Sequence, residues 1–420
     1  MFSRVALLAV VFGLVAGSTP ALAADPVSVL FVGNSYTFGR ADPVMSYNAA
    51  NVRDLTYQMW LDNPAGSNAF EPHPWGGVPG IFKQLTVQAG LDYDVAISAR
   101  NAASLRGHML NSNPAGWDLR GNIGSQTWDK VVLQEQSDEP LDRRDGLASN
   151  PEYFRFYADK IENFVHSSDA SGAIRDRDAF PGATSAQRQA ACVAAGIASG
   201  TCSRDRGSFA NSNASAATQI YLYQTWARPN LVAGAFVTIT DEITGEVTRT
   251  AIPATTYFDD LESMTNELVV SYEEAFEQAL DDDSPGFTDI VPVGEAFMRA
   301  VSDGVATRDM WAATAANDGL IDLWFDDGTH ASKYGSYLSA LTLFGTLTGI
   351  DPWSFGANEQ AAADLGISPH DAVKLQKVAS DQLHASGVPL VRLPCLHANP
   401  RASGAARNHE GITACGKARR

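Results

Sequence analysis

The chain is short of positive charge: 30 Lys and Arg stand against 48 Asp and Glu, a formal net charge of −18 over 420 residues. Such a surface repels phosphate backbones, which argues against nucleic acid as a partner. Cysteine is scarce as well. The four cysteines, Cys192, Cys202, Cys395 and Cys415, are spaced like no zinc site. Beyond the N-terminus no apolar run approaches the ~20 residues of a membrane-spanning helix, so no later span is expected. There is no internal repeat and no heptad pattern, which excludes solenoids and coiled coils. What remains is a globular composition, 45% hydrophobic and 19% charged, able to bury a sizeable core.

Met1 to Ala23 holds an early Arg4, an apolar stretch from Val5 to Ala16 and the small-residue site Ala21-Leu22-Ala23. These are the parts of a secretory signal peptide, so the mature chain is expected to begin at Ala24 and to be periplasmic or secreted. The apolar stretch is too short for an anchor, and no cysteine follows the cleavage site to carry a lipid. An even cysteine count in an exported chain predicts two disulfides. Of the three pairings the local one is expected, Cys192 with Cys202 and Cys395 with Cys415, each adding roughly 2 to 3 kcal/mol. The tail from Arg392, with Arg401, Arg407, Lys417, Arg419 and Arg420, is locally basic and reads as solvated.

The first strand is the run from Val27, which stops at Gly33-Asn34-Ser35. Unbroken apolar residues closed by Gly and Asn predict a strand buried on both faces that ends in a tight turn. Further strands are expected at Tyr93 to Ile97, Lys130 to Gln134, Gln219 to Trp226 and Asp289 to Val293. Between them, helical spacing places helices around Ile81 to Ala89, after Pro151, over Leu261 to Leu280, at Glu295 to Val301, after His330 and from Asp371 to Leu383. Residues 167–218, rich in Ala, Ser, Gly, Asp and Arg, read as a loop-rich insertion with one short helix from Ser185 to Ala195. The Thr-Gly-Glu centre of the next stretch suggests a hairpin, and Asp281 to Gly286, without EF-hand spacing, reads as a helix break. Alternation of strand and helix predicts a three-layer α/β/α sandwich around a parallel five-stranded sheet: one domain over 24–385, with residues 386–420 as a tail.

In such a sheet ligands bind at the carboxyl ends of the strands. Ser35 stands there as a nucleophile in need of a base. His330 supplies an imidazole, and Asp327 a carboxylate to fix its tautomer and stabilise imidazolium. The developing oxyanion needs preorganised donors, for which the Ser35 backbone N–H, a backbone N–H near Asn101 or Ala102 and the Gln136 amide are candidates. Taken singly each has a blander reading: a plain turn, a helix cap with a surface histidine, a satisfied buried amide. Trp226 and Arg228 end a strand on the same edge, where they could contact a sugar or a carboxylate, or simply pack. His108 caps its helix or lines the cleft, and His73 sits between prolines near the surface.

With Val-Gly-Asn-Ser-Tyr-Thr at 32–37, Val-Val-Leu-Gln-Glu-Gln-Ser at 131–137 and Asp-Gly-Thr-His-Ala-Ser at 327–332, the chain resembles the SGNH (GDSL-like) hydrolase superfamily, in particular an exported bacterial subgroup with a GNSYT nucleophile block. The resemblance spans about Val27 to Thr348 apart from the insertion. It implies a flavodoxin-like sandwich and esterase chemistry with neither metal nor organic cofactor. It puts the nucleophile on Ser35, the base on His330, the orienting acid on Asp327 and an oxyanion donor on Gln136, with Asn34 beside the substrate. The second-block glycine of the family has no counterpart in Asn101-Ala-Ala-Ser-Leu105, which leaves Ala102 to offer a backbone N–H. The expected function is an exported serine esterase that removes a short acyl group, acetyl above all, from a carbohydrate or similar small ester. A lipase, phospholipase or thioesterase of the same fold, or a binding protein on it that has lost turnover, is the alternative. Oligomeric state is not legible in the sequence.

Overall fold

The computed structural model describes residues 25–62, 73–110, 112–113, 117–168, 172–233, 235–240, 247–252, 256–312, 315 and 318–393. The expected signal peptide, Cys395, Cys415 and the basic tail lie outside these residues. Six strands form one parallel sheet: β1 (Val27–Gly33), β2 (Arg53–Asp54), β3 (Tyr93–Ala99), β4 (Lys130–Gln134), β5 (Gln219–Tyr223) and β6 (Asp289–Val291). Their order across the sheet is β6-β5-β4-β1-β3-β2. This corrects the expected count of five. The sixth strand, β2, is two residues long and pairs Arg53 with Ala96 at the outer side of β3, too short to show any periodicity in sequence. Two strands also end earlier than expected: β5 at Tyr223, and β6 at Val291, just before Pro292, which has no N–H to give a ladder.

β1 lies at the centre of the sheet because Val29, Leu30, Phe31 and Val32 are all fully buried and fit only where both faces are covered. Its neighbours are β3, with Gly33 level with Ala99, and β4, with Val32 level with Leu133. From β1 the chain goes first to the edge strand β2, returns to β3 beside β1, and then crosses to β4 on the other side, so the connections part on either side of β1. This is a topological switch point, and the crevice beyond the carboxyl ends of β1 and β4 is where such a sheet offers a site.

Helices cover both faces. On one side α2 (Gly77–Gln88), α6 (Val293–Ser302) and α7 (Lys333–Thr348) pack together beneath α8 (Pro369–Ala385); on the other lie α3 (Leu105–Leu110), α4 (Pro151–His166) and α5 (Leu261–Gln278). α7 is buried almost all round, as a helix held between a sheet and a second helix must be. Helix starts follow local chemistry: Asn150 caps α4 and Ser368 caps α8, each followed by Pro at the first turn, where its missing N–H costs nothing. No described helix is long and apolar enough to cross a membrane.

Residues 172–218 hold more regular structure than a loop. They hold helices Ser185–Ala194 and Ser199–Ser203, joined by the disulfide Cys192–Cys202, and a 3₁₀ turn at Asp176–Ala179. Asp176, fully buried, fastens this stretch to the body by accepting from Arg106 of α3, Tyr157 of α4 and Arg206. The antiparallel hairpin expected near residue 245 is present as Ala235–Thr240 against Val247–Ile252, with its turn outside the described residues.

Candidate active site

Ser35 follows β1 directly, as the first residue of a short helical turn, α1 in position though only Ser35–Phe38 in length. Asn34 shapes the turn: its Oδ1 accepts from the Tyr36 N–H at 3.0 Å, and its Nδ2 donates to the Ala103 carbonyl at 3.0 Å. Gly33 must be glycine, since a Cβ there would stand 2.2 Å from Thr37 Oγ1 and 2.5 Å from Gln134 Oε1.

The other half of the site is the turn before α7. Asp327 Oδ1 accepts the backbone N–H groups of Thr329 and His330, both at 2.9 Å, and Oδ2 faces His330 Nδ1 at 2.5 Å. Gly328 permits this turn, with φ at +63° and the Trp311 ring only 2.6 Å from where a Cβ would be. The Trp226 indole donates to the Thr329 carbonyl at 3.0 Å, and Phe325 N–H to the His330 carbonyl at 2.7 Å, so the loop is held on both sides of the imidazole.

The two halves meet. Ser35 Oγ lies 2.9 Å from His330 Nε2, across 295 residues of sequence. Because the Asp327 carboxylate only accepts, Nδ1 carries the ring proton, and Nε2 presents its lone pair to the serine hydroxyl. Burial works to raise the Asp327 carboxyl, but the hydrogen bond and charge of His330 and the two backbone N–H groups outweigh it and hold it at about 2. Asp327 is therefore ionised at neutral pH. Ser35 itself is 5% exposed, while the His330 side chain keeps 18% of its surface open.

Two backbone N–H groups have no acceptor among the described residues: that of Ser35, and that of Ala102, in the turn whose Ala103 carbonyl accepts from Asn34. Ala102 adopts φ +54°, the left-handed region that glycine favours. Gln136 is placed differently from the sequence expectation. Its Oε1 accepts the N–H groups of Asp138 and Glu139, at 2.8 and 3.1 Å, and its Nε2 lies 3.5 Å from Ser137 Oγ, so this side chain is engaged within its own turn and makes no hydrogen bond to Ser35.

Trp226 and Arg228 are not open to a ligand in the way a binding surface would be. Trp226 is fully buried in a stack between Tyr36, 4.0 Å away centroid to centroid, and Phe297, 4.8 Å away. It supports the serine turn and the histidine loop together. Arg228, 9% exposed, is held by Asp138, Ser137 Oγ and Asn230. His73 is also interior, its side chain fully buried, with Nδ1 2.7 Å from Asp54.

Sequence reasoning missed Gln134 and Glu135, and left His108 undecided. Gln134, fully buried, ends β4 and accepts from both Asn34 N–H (2.9 Å) and Thr37 Oγ1 (3.0 Å). His108 is fully buried on α3, with Nε2 2.9 Å from the Gly33 carbonyl. Glu135 is buried too, and its Oε1 accepts the N–H groups of Leu105 (2.9 Å) and Gln136 (2.6 Å). The only sequence signal for Gln134 and Glu135 was the polar cluster at the end of an apolar strand.

Burial, then the charge of Glu139, pushes the Glu135 carboxyl well above its ordinary range, against the pull of the two N–H groups. A carboxyl raised in the folded state gives full stability below its unfolded pKa of about 4.3 and loses stability as pH rises above that value. The melting temperature of Glu135→Gln relative to wild type is therefore expected to climb by several degrees between pH 5 and pH 8, as differential scanning calorimetry would show; a pH-independent difference would contradict the assignment.

No protein-family model and no curated protein sequence matches this chain. Among solved structures it is similar to a candidate SGNH hydrolase from Slackia heliotrinireducens, at 17% identity and a TM-score of 0.34, covering 77% of this chain and 100% of that one. It is similar also to a DUF4886 family protein from Bacteroides uniformis, at 13% identity and a TM-score of 0.38, over 87% of this chain and 98% of that one. Similarity at this level leaves the reading of the site to its own geometry.

Proposed function

We propose that the protein is a serine esterase: Ser35 attacks the carbonyl of a carboxylic ester, His330 takes its proton and returns it to the leaving alcohol, and Asp327 holds the imidazole in the required tautomer. The single observation that carries this is the 2.9 Å approach of Ser35 Oγ to His330 Nε2. It is supported by a carboxylate on the far ring nitrogen and by two free backbone donors, at Ser35 and Ala102, for the oxyanion. Gln136 would join them only after leaving the turn it now closes, so the two backbone donors are the core of the proposed hole. The acyl-enzyme is then cleared by water, with His330 again the base.

The finer reading is an exported enzyme acting on a short acyl ester, acetyl on a carbohydrate or a similar small molecule. The disulfide Cys192–Cys202 supports an oxidising compartment. Mature protein is expected to hydrolyse p-nitrophenyl acetate faster than the butyrate and octanoate, with palmitate slowest, and to release acetate from an acetylated sugar. A rate rising toward palmitate would redirect the assignment to a lipase, and no turnover of any ester, with no labelling of Ser35 by a fluorophosphonate, would leave a binding protein.

A further inference from the structure

Hydrogen bonds fix not only the serine turn but one particular peptide group within it. The carbonyl of Gly33 and the N–H of Asn34 belong to the same amide, the peptide group immediately before the one that carries Ser35's own N–H. The carbonyl receives His108 Nε2 at 2.9 Å, along with the Arg100 N–H at 3.2 Å, and the N–H is received by Gln134 Oε1 at 2.9 Å. Both side chains are fully buried. They come from opposite sides: His108 from the helix that follows β3, Gln134 from the end of β4, the two strands that flank β1.

We propose that His108 and Gln134 are positioning residues that clamp the Gly33–Asn34 peptide plane, and through it set the aim of Ser35 Oγ at His330 and of the Ser35 N–H at the oxyanion. This rests on Ser35 being the nucleophile. An amide held at both its polar ends cannot rotate without breaking three hydrogen bonds, and neither buried side chain has water to fall back on. Glycine at position 33 is part of the device, because a side chain there would occupy the space through which Gln134 Oε1 reaches the peptide. Thr37 Oγ1, donating to that same oxygen at 3.0 Å, ties the helical turn to the clamp.

His108 acts as a donor and must keep its proton on Nε2, since the Gly33 carbonyl only accepts. Its Nδ1 is buried with no hydrogen-bond partner among the described residues, so a second proton would bring a charge with nothing to receive it. Burial indeed pushes this imidazole down to about 4, with the Arg100 charge acting in the same sense and the Gly33 carbonyl against it. The residue therefore stays neutral over the range in which the proposed esterase would work, and holds the peptide without titrating.

The test compares His108→Met, which keeps bulk and removes the donor, with His108→Gln, which restores an amide N–H. Each is measured for kcat and KM on p-nitrophenyl acetate and for the rate of Ser35 labelling by a fluorophosphonate, with Ser35→Ala alongside. A clamp that positions the nucleophile predicts that His108→Met loses about 100-fold in kcat and in labelling rate while KM stays within about threefold, and that His108→Gln recovers about tenfold of that loss. Wild-type kcat in His108→Met, with Ser35→Ala inactive, overturns the clamp and leaves the nucleophile standing; activity in Ser35→Ala overturns the nucleophile itself. Equal losses in the Met and Gln variants overturn the clamp, because shape rather than the donated hydrogen bond would then be what matters. Should His108→Met fail to fold, His108→Gln decides alone: labelling within about tenfold of wild type supports the clamp, and labelling as slow as background overturns it.

Discussion

Replacing Ser35 by alanine is expected to lower kcat/KM on p-nitrophenyl acetate by about 10⁴- to 10⁶-fold, some 5 to 8 kcal/mol of transition-state stabilisation. The substitution removes one hydroxyl whose hydrogen-bond partner is His330 Nε2, and leaves the backbone of the turn, its cap from Asn34 and its ties to Gln134 in place. Melting temperature should thus stay close to wild type, so lost activity cannot be blamed on lost fold. A small residual rate is part of the expectation, because the backbone donors at positions 35 and 102 would still polarise a bound carbonyl. Turnover at the wild-type rate would overturn the proposed mechanism, whatever the distances.

Asp327→Asn is expected to cost about 10⁴-fold in kcat, nearly as much, although it changes a single atom type. The two backbone N–H groups of Thr329 and His330 need an acceptor, so the amide oxygen takes the place of Oδ1, and the NH₂ group is left facing His330 Nδ1. A donor there obliges the imidazole to put its lone pair on Nδ1 and its proton on Nε2, toward the serine. The ring then stands where it should with its proton on the wrong side. Steady-state kinetics on the purified variant would show the loss in kcat with KM little changed, and an unchanged kcat would remove Asp327 from the mechanism. The same residue predicts an acid effect on stability. A carboxyl held at about 2 when folded contributes stability that is complete above its unfolded value of about 3.9 and fades as pH falls toward 2. The gap in melting temperature between wild type and Asp327→Asn should accordingly narrow below pH 4.

Much of this architecture is legible in the sequence where the physics is local. β1 shows itself because a strand covered on both faces is apolar at successive positions and has to stop where Gly and Asn stop it. The Asp327 to His330 turn is legible for a similar reason: its parts are three residues apart, and one carboxylate can reach both the backbone and the ring. The failures come where tertiary neighbours decide. A two-residue edge strand such as β2 has no pattern of its own, and exists only because β3 offers it a free side. At the end of β4, sequence shows polar residues without showing which of them faces β1. The strand stops at Gln134, the chain turns, and it is this residue rather than Gln136 that reaches the serine turn. His108 could not be assigned because capping, lining a cleft and gripping a strand end look alike from one helix.

The distribution of the parts along the chain has a consequence for how the protein comes into being. All six strands lie before residue 292, whereas the imidazole stands at 330 and the helices that brace it end at 385. A ribosome or a secretion channel delivering the chain from its N-terminus would release a nearly complete sheet, serine in place, well before any base could reach it. On the proposed mechanism reactivity is thereby the last property to arrive, and an incomplete nascent chain carries an inert hydroxyl.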